Sequence, residues 1–162
     1  MFPPDLLVRA AELIVRYRSS GLMVATAESC TGGLIAGLLT EIPGSSNVVE
    51  RGFVVYSNAA KEELLGVPAA TLEAHGAVSA ETARAMAEGA LKASRADITL
   101  SVTGIAGPDG WTAAKPVGLV HFACARRGAA TVAREERFGG IGRDAVRLAS
   151  VRVGLDLLEG AL

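Results

Sequence analysis

Three residues of this 162-residue chain, Ser29, Tyr56 and Lys61, have the types and settings to do chemistry together. Ser29 lies in Ala27-Glu28-Ser29-Cys30-Thr31-Gly32-Gly33, between a short apolar run and a helical pattern. Glycines at such a turn let the backbone approach a ligand closely. The first N–H groups of a helix have no internal partners, so Thr31, Gly32 and Gly33 could offer donors to an oxyanion or a phosphate. A serine placed there could act as a nucleophile with its oxyanion hole built in. The plainer alternative is that Ser29 and Thr31 cap the helix. A serine hydroxyl needs a base. His75 precedes a glycine in a loop and His121 sits mid-strand, which leaves Lys61. Lys61 falls in the first turn of a helix, where the dipole disfavours a cation, and burial would lower its pKa further. Tyr56, five residues earlier at a strand end, could relay or orient the proton. Here the alternative is a solvated lysine and a core tyrosine.

A third polar turn, Thr103-Gly104-Ile105-Ala106-Gly107-Pro108-Asp109-Gly110, has the length of a ligand loop but neither the Lys-Ser/Thr ending of a P-loop nor the dinucleotide fingerprint spacing. The elements that must position these turns follow from periodicity. Leu6, Leu7, Ala10, Leu13, Ile14 and Tyr17 mark a first helix, and 22–27 a buried strand. Leu34 to Ile42 reads as a helix, 52–56 as a second strand, and Ser57-Asn58 as the cap of the helix carrying Lys61, Leu64 and Leu65. A short helical piece to His75 precedes an Ala-rich helix capped by Ser79, then a strand at 98–102. Segments 117–125 and 131–138 form a hairpin through Arg127-Gly128, and a last helix starts near Arg143. Strands alternating with helices predict an α/β fold, a three-layer α/β/α sandwich whose hairpin makes the mostly parallel sheet mixed. Ligands bind beyond the carboxyl ends of strands in such sheets, where all three turns fall.

Composition restricts the function classes. The length fits a single domain over 1–162. Half the residues are hydrophobic, and the net charge of −1 gives no basic excess for wrapping nucleic acid. Two cysteines and two distant histidines offer no disulfide framework and no metal site. No apolar run is long enough to cross a membrane, and the N-terminus shows no signal peptide, so a cytoplasmic protein is expected. Ala- and Gly-rich surfaces would permit close helix contacts between copies, and a homo-oligomer is expected.

Taken together, Thr26 to Gly33, Pro43-Gly44-Ser45-Ser46, Arg51 to Asn58 with Lys61, Gly76 to Ser79, Thr103 to Gly110, Lys115 to Gly118 and Arg143 to Arg147 resemble, in order, the CinA C-terminal domain family of nicotinamide-nucleotide amidohydrolases. Trp111 after Gly110, and Gly139-Gly140-Ile141-Gly142 before Arg143, depart from the pattern. The resemblance implies an anticodon-binding-domain-like α/β/α fold. It implies hydrolysis of the carboxamide of nicotinamide mononucleotide, without cofactor or metal, by Ser29 with Lys61 and Tyr56 as activating partners. On that reading Ser45, Ser46 and Arg143 would hold the 5′-phosphate, and Thr103 and Gly104 would line the ribose or ring. A mononucleotide-binding module without turnover is the alternative. A Tyr–Lys reductase would need three intervening residues, and here there are four.

Overall fold

Every residue from 1 to 162 is described by the computed structural model. Five strands form one sheet, β1 (Val24–Glu28), β2 (Val49–Val54), β3 (Ile98–Gly104), β4 (Leu119–Arg126) and β5 (Val132–Arg137), in the order β2-β1-β3-β4-β5. The β1–β2 and β1–β3 pairings are parallel; β3–β4 and β4–β5 are antiparallel. Only β4 therefore runs against the other four strands.

Alternation along β3 and β4 sets the layers. On one face Ile98, Leu100, Val102, Val120, Phe122 and Cys124 join the main core with α1 (Pro4–Ser20), α2 (Leu34–Glu41) and α6 (Arg143–Gly160). On the other face Ala123 and Ala125 meet Ala83 and Ala87 of α5 (Ala80–Ala93). Those small side chains bring α5 close enough for β3 hydroxyls to reach main-chain oxygens. Thr99 donates to the Ala87 carbonyl at 2.7 Å and Ser101 to Ala83 at 2.6 Å, while Thr103 reaches Ala77, in the segment before α5, at 2.7 Å. The helices α3 (Asn58–Leu65) and α4 (Ala69–His75) complete this layer, burying Leu65, Val67 and Leu72 against Met86 and Ala90 of α5. The expected three-layer sandwich is the observed fold.

The strand boundaries shift from the sequence expectation, most of all at β2. β1 starts at Val24 and reaches Glu28, and β2 covers Val49–Val54 rather than 52–56. β2 is an edge strand with half-exposed residues, so its register comes from pairing with β1 and not from an apolar run of its own. Tyr56 consequently lies beyond the strand end.

Candidate active site

Because β1, β2 and β3 are parallel, their carboxyl ends open on one rim. The ladder continues past them. The Val55 N–H donates to the Glu28 carbonyl at 2.9 Å, and the Ser29 N–H donates to the Val102 carbonyl at 2.9 Å. Ser29 is thus pinned from both neighbouring strands at the point where the chain leaves the sheet.

Neither Ser29 nor Thr31 caps α2. Its cap position is Gly33, with no side-chain cap bond. The buried Glu28 carboxylate serves instead, accepting from the N–H groups of Ile35 at 3.0 Å and Ala36 at 2.8 Å. This overturns the capping alternative and leaves the Ser29 hydroxyl uncommitted to the helix. Negative charge at a helix N-terminus is favourable, which accounts for a fully buried carboxylate without a cation beside it.

Lys61 comes from α3, whose cap Ser57 accepts from the Ala60 N–H at 3.0 Å. Its side chain is 1% exposed, a rare state for lysine. The Nζ atom lies 3.2 Å from Ser29 Oγ, 3.0 Å from the Val55 carbonyl oxygen and 3.2 Å from the Tyr56 carbonyl oxygen. Burial lowers its pKa from the ordinary 10.5. A neutral amine has two N–H bonds and one lone pair. With both N–H groups donated to the two carbonyls, the lone pair is left facing the serine hydroxyl.

Cys30 lies next to the nucleophile position, but burial pushes its thiol up to about 12, so it stays protonated and poorly nucleophilic.

The cleft above this pair has a volume of about 260 Å³. Ser29, Cys30, Tyr56 and Lys61 form one wall, Ala77 and Val78 another, and the 103–110 segment a third, with Arg143 at the mouth. Thr103 and Gly104 lie here, although the Thr103 proton is committed to Ala77. Gly104 answers a packing demand: a Cβ there would sit 2.7 Å from Val120 Cγ2 and 2.8 Å from the Leu119 carbonyl oxygen. Arg143, the first residue of α6, donates to the Gly107 carbonyl at 2.8 Å and approaches the Tyr56 hydroxyl at 3.4 Å.

Several expected site residues are placed otherwise. Tyr56 meets Lys61 through its carbonyl oxygen, while its phenol is exposed and faces Arg143. Thr31, Gly32 and Gly33 do not line the cleft; Thr31 is fully buried, whereas Gly32 is exposed. Ser45 and Ser46 belong to a 3-10 turn, Ser45–Asn47, beside the start of β1, where the Val24 N–H donates to the Val48 carbonyl. That is the opposite rim, roughly 15 Å away across the five residues of β1. Two residues were missed in the sequence. Glu28 reads only as part of the turn, and Arg147 only as a motif position. Arg147 donates to the Cys30 carbonyl at 3.1 Å and the Thr31 carbonyl at 3.0 Å.

A hollow of about 290 Å³ lies at the far end of the sheet, between Cys124, Val132 and Leu157. It holds no nucleophile–base pair.

An α/β/α sandwich with a buried serine–lysine pair at the parallel strand ends is the class of protein that fold and site define. Residues 8–162 match the family model described as the CinA C-terminal domain, and the chain belongs to that family. It is 51% identical over 158 residues to the nicotinamide-nucleotide amidohydrolase PncC of Escherichia coli K12, covering 98% of this chain and 95% of that protein. Identity to a CinA-like protein of Anaeromyxobacter sp. Fw109-5 is also 51%, over 94% of this chain but only 37% of that longer relative. Among solved structures, the competence/damage inducible protein CihA of Agrobacterium tumefaciens superposes with a TM-score of 0.97 at 55% identity, covering 99% of this chain and 97% of that one.

Proposed function

We propose that this chain hydrolyses the carboxamide of nicotinamide mononucleotide to nicotinate mononucleotide and ammonia. The observation that carries the reading is the buried Lys61 amine 3.2 Å from Ser29 Oγ, oriented by two carbonyl oxygens. The name of the Escherichia coli relative, matched over nearly its full length, supports the choice of substrate.

Neutral Lys61 takes the Ser29 proton as Oγ attacks the amide carbon. Main-chain N–H groups of the Ser29 turn hold the oxyanion, an interaction worth about 2.7–4 kcal/mol per donor in comparable sites. Protonated Lys61 then gives its proton to the departing nitrogen, and ammonia leaves an ester on Ser29. Water, deprotonated by the same amine, cleaves that ester and frees the carboxylate product. Tyr56 contributes its carbonyl to aligning the amine, and its phenol stands with Arg143 at the cleft mouth. Arg143 is the cationic partner for the 5′-phosphate, since Ser45 and Ser46 of the same chain lie on the other rim. The chemistry needs no metal, so a chelator leaves the rate unchanged.

The test is ammonia release from nicotinamide mononucleotide by wild type and Ser29→Ala. The variant is expected to fold normally and release none above background. Turnover at the wild-type rate by the variant removes Ser29 from the mechanism.

A further inference from the structure

We infer that Asp109 is a specificity-determining residue that recognises the positive charge of the substrate's pyridinium ring. The inference rests on the proposed mononucleotide substrate and goes beyond it, since the serine–lysine chemistry asks nothing of the ring's charge.

Among the residues that line the cleft, Asp109 is the one acid, and Lys61 and Arg143 are the bases. Lys61 is buried and turned towards Ser29 and two carbonyl oxygens. Arg143 donates to the Gly107 carbonyl and approaches the Tyr56 hydroxyl, and it does not pair with the carboxylate two residues beyond Gly107. The Asp109 side chain makes no ion pair and no hydrogen bond within the protein, and the residue is exposed. Glu28, the acid next to Ser29 in the chain, faces α2 and accepts from Ile35 and Ala36, so it offers the cleft no charge. Two opposite charges, Asp109 and Arg143, thus border one cleft without neutralising each other.

The loop that carries Asp109 is anchored. The Ile105 N–H donates to the Leu119 carbonyl at 2.9 Å, the Gly118 N–H donates to the Ile105 carbonyl at 2.8 Å, and Arg143 holds the Gly107 carbonyl. Ile105 and Ala106 are buried. At Gly107 φ is +82°, and a Cβ there would stand 2.7 Å from Val117 Cγ1, so glycine is required where the chain turns. The carboxylate therefore extends from a fixed wall of the cleft.

Nicotinamide mononucleotide carries charges of both signs. Its ring nitrogen, meta to the carboxamide, is permanently positive, and its phosphate is negative. With the carboxamide at Ser29, the ring lies inside the cleft. The cleft's 260 Å³ corresponds to a sphere roughly 8 Å across, about one Debye length at physiological salt. A carboxylate on the wall is therefore felt by a cationic ring anywhere within it, while Arg143 meets the phosphate at the mouth. The ring charge is the same before and during attack on the carboxamide, so the attraction strengthens binding and does not speed the chemical step. It also discriminates, because a ring of similar shape without the charge gains nothing from Asp109.

The test measures dissociation constants in the Ser29→Ala background, where substrate is not consumed. The ligands are nicotinamide mononucleotide and its reduced form, whose ring is uncharged. Adding Asp109→Ser should shift the ratio of the two constants towards the reduced form by roughly 5-fold, the contribution of a solvent-touched ion pair. Asp109→Glu keeps the charge and should keep part of the preference. The Asp109-dependent part should vanish as salt approaches 1 M, where the Debye length is about 3 Å. With Ser29 intact, Asp109→Ser should raise KM for ammonia release and spare kcat.

An unchanged ratio in Asp109→Ser, an equal shift in Asp109→Glu, or no binding of either form would overturn the assignment. No ammonia release by wild type, with the Asp109-dependent ratio still observed, would refute the hydrolysis and leave the charge recognition standing. Ammonia release with a ratio indifferent to Asp109 would do the reverse.

Discussion

Lys61 gains its chemical character from its surroundings. A lysine in water is protonated at neutral pH and cannot accept a proton from a serine. Burial disfavours the ammonium and lowers the pKa from 10.5, while the Val55 and Tyr56 carbonyls prevent the amine from turning away. On the proposed mechanism the active form is the neutral one. kcat/KM should therefore fall as pH drops through the Lys61 pKa and level off above it, with the inflection below 10.5 in a pH–rate profile. A profile flat from pH 6 to 10 would remove Lys61 as the base. Cys30 cannot substitute for Ser29 in this range, because its thiol titrates at about 12.

At the scale of elements, the turn after β1 depends on contacts from both sides of the chain. Glu28 ties it to α2, Arg147 ties it to α6, and Val55 and Val102 extend the sheet onto it. Replacing Glu28 with Gln puts an amide NH2 against either the buried Ile35 N–H or the part-buried Ala36 N–H. The expected cost is about 1–3 kcal/mol, checked by urea denaturation, with a fall in kcat as the turn loosens. The fold was legible in the sequence because its strands are mostly buried and its helices strongly periodic. The segments bearing Ser29, Tyr56, Lys61, Thr103, Gly104 and Arg143 were legible because polar, glycine-bearing turns after strands stand out, and all six reach the cleft. Glu28 and Arg147 were not, because their partners are set by packing: Arg147 meets a turn more than a hundred residues earlier. Ser45 and Ser46 misled for the opposite reason. Their loop has the composition of a ligand loop but precedes β2, so topology sends it to the wrong rim. Tyr56 was assigned by its phenol, whereas the geometry uses its carbonyl.

Across the whole molecule, a near-neutral chain sets the Arg143 cation on the cleft and buries Lys61 in its lining. The arginine suits an anionic ligand, and the buried lysine carries a stability penalty. With the folded pKa depressed, the unfolded chain binds the extra proton between that pKa and 10.5. Stability should therefore rise with pH across that window, and the full penalty acts below it. Lys61→Met should lack this rise. Denaturant unfolding of both proteins between pH 7 and 10.5 measures the difference, and identical slopes would mean the amine titrates normally.

The central claim is that Ser29 forms a bond to the substrate. Rapid acid quench of wild type turning over nicotinamide mononucleotide, followed by peptide mass spectrometry, tests it directly. The account predicts a peptide carrying Ser29 heavier by the substrate less ammonia, and no such species in Ser29→Ala. Full turnover by Ser29→Ala, or an adduct found on another side chain in wild type, would contradict it.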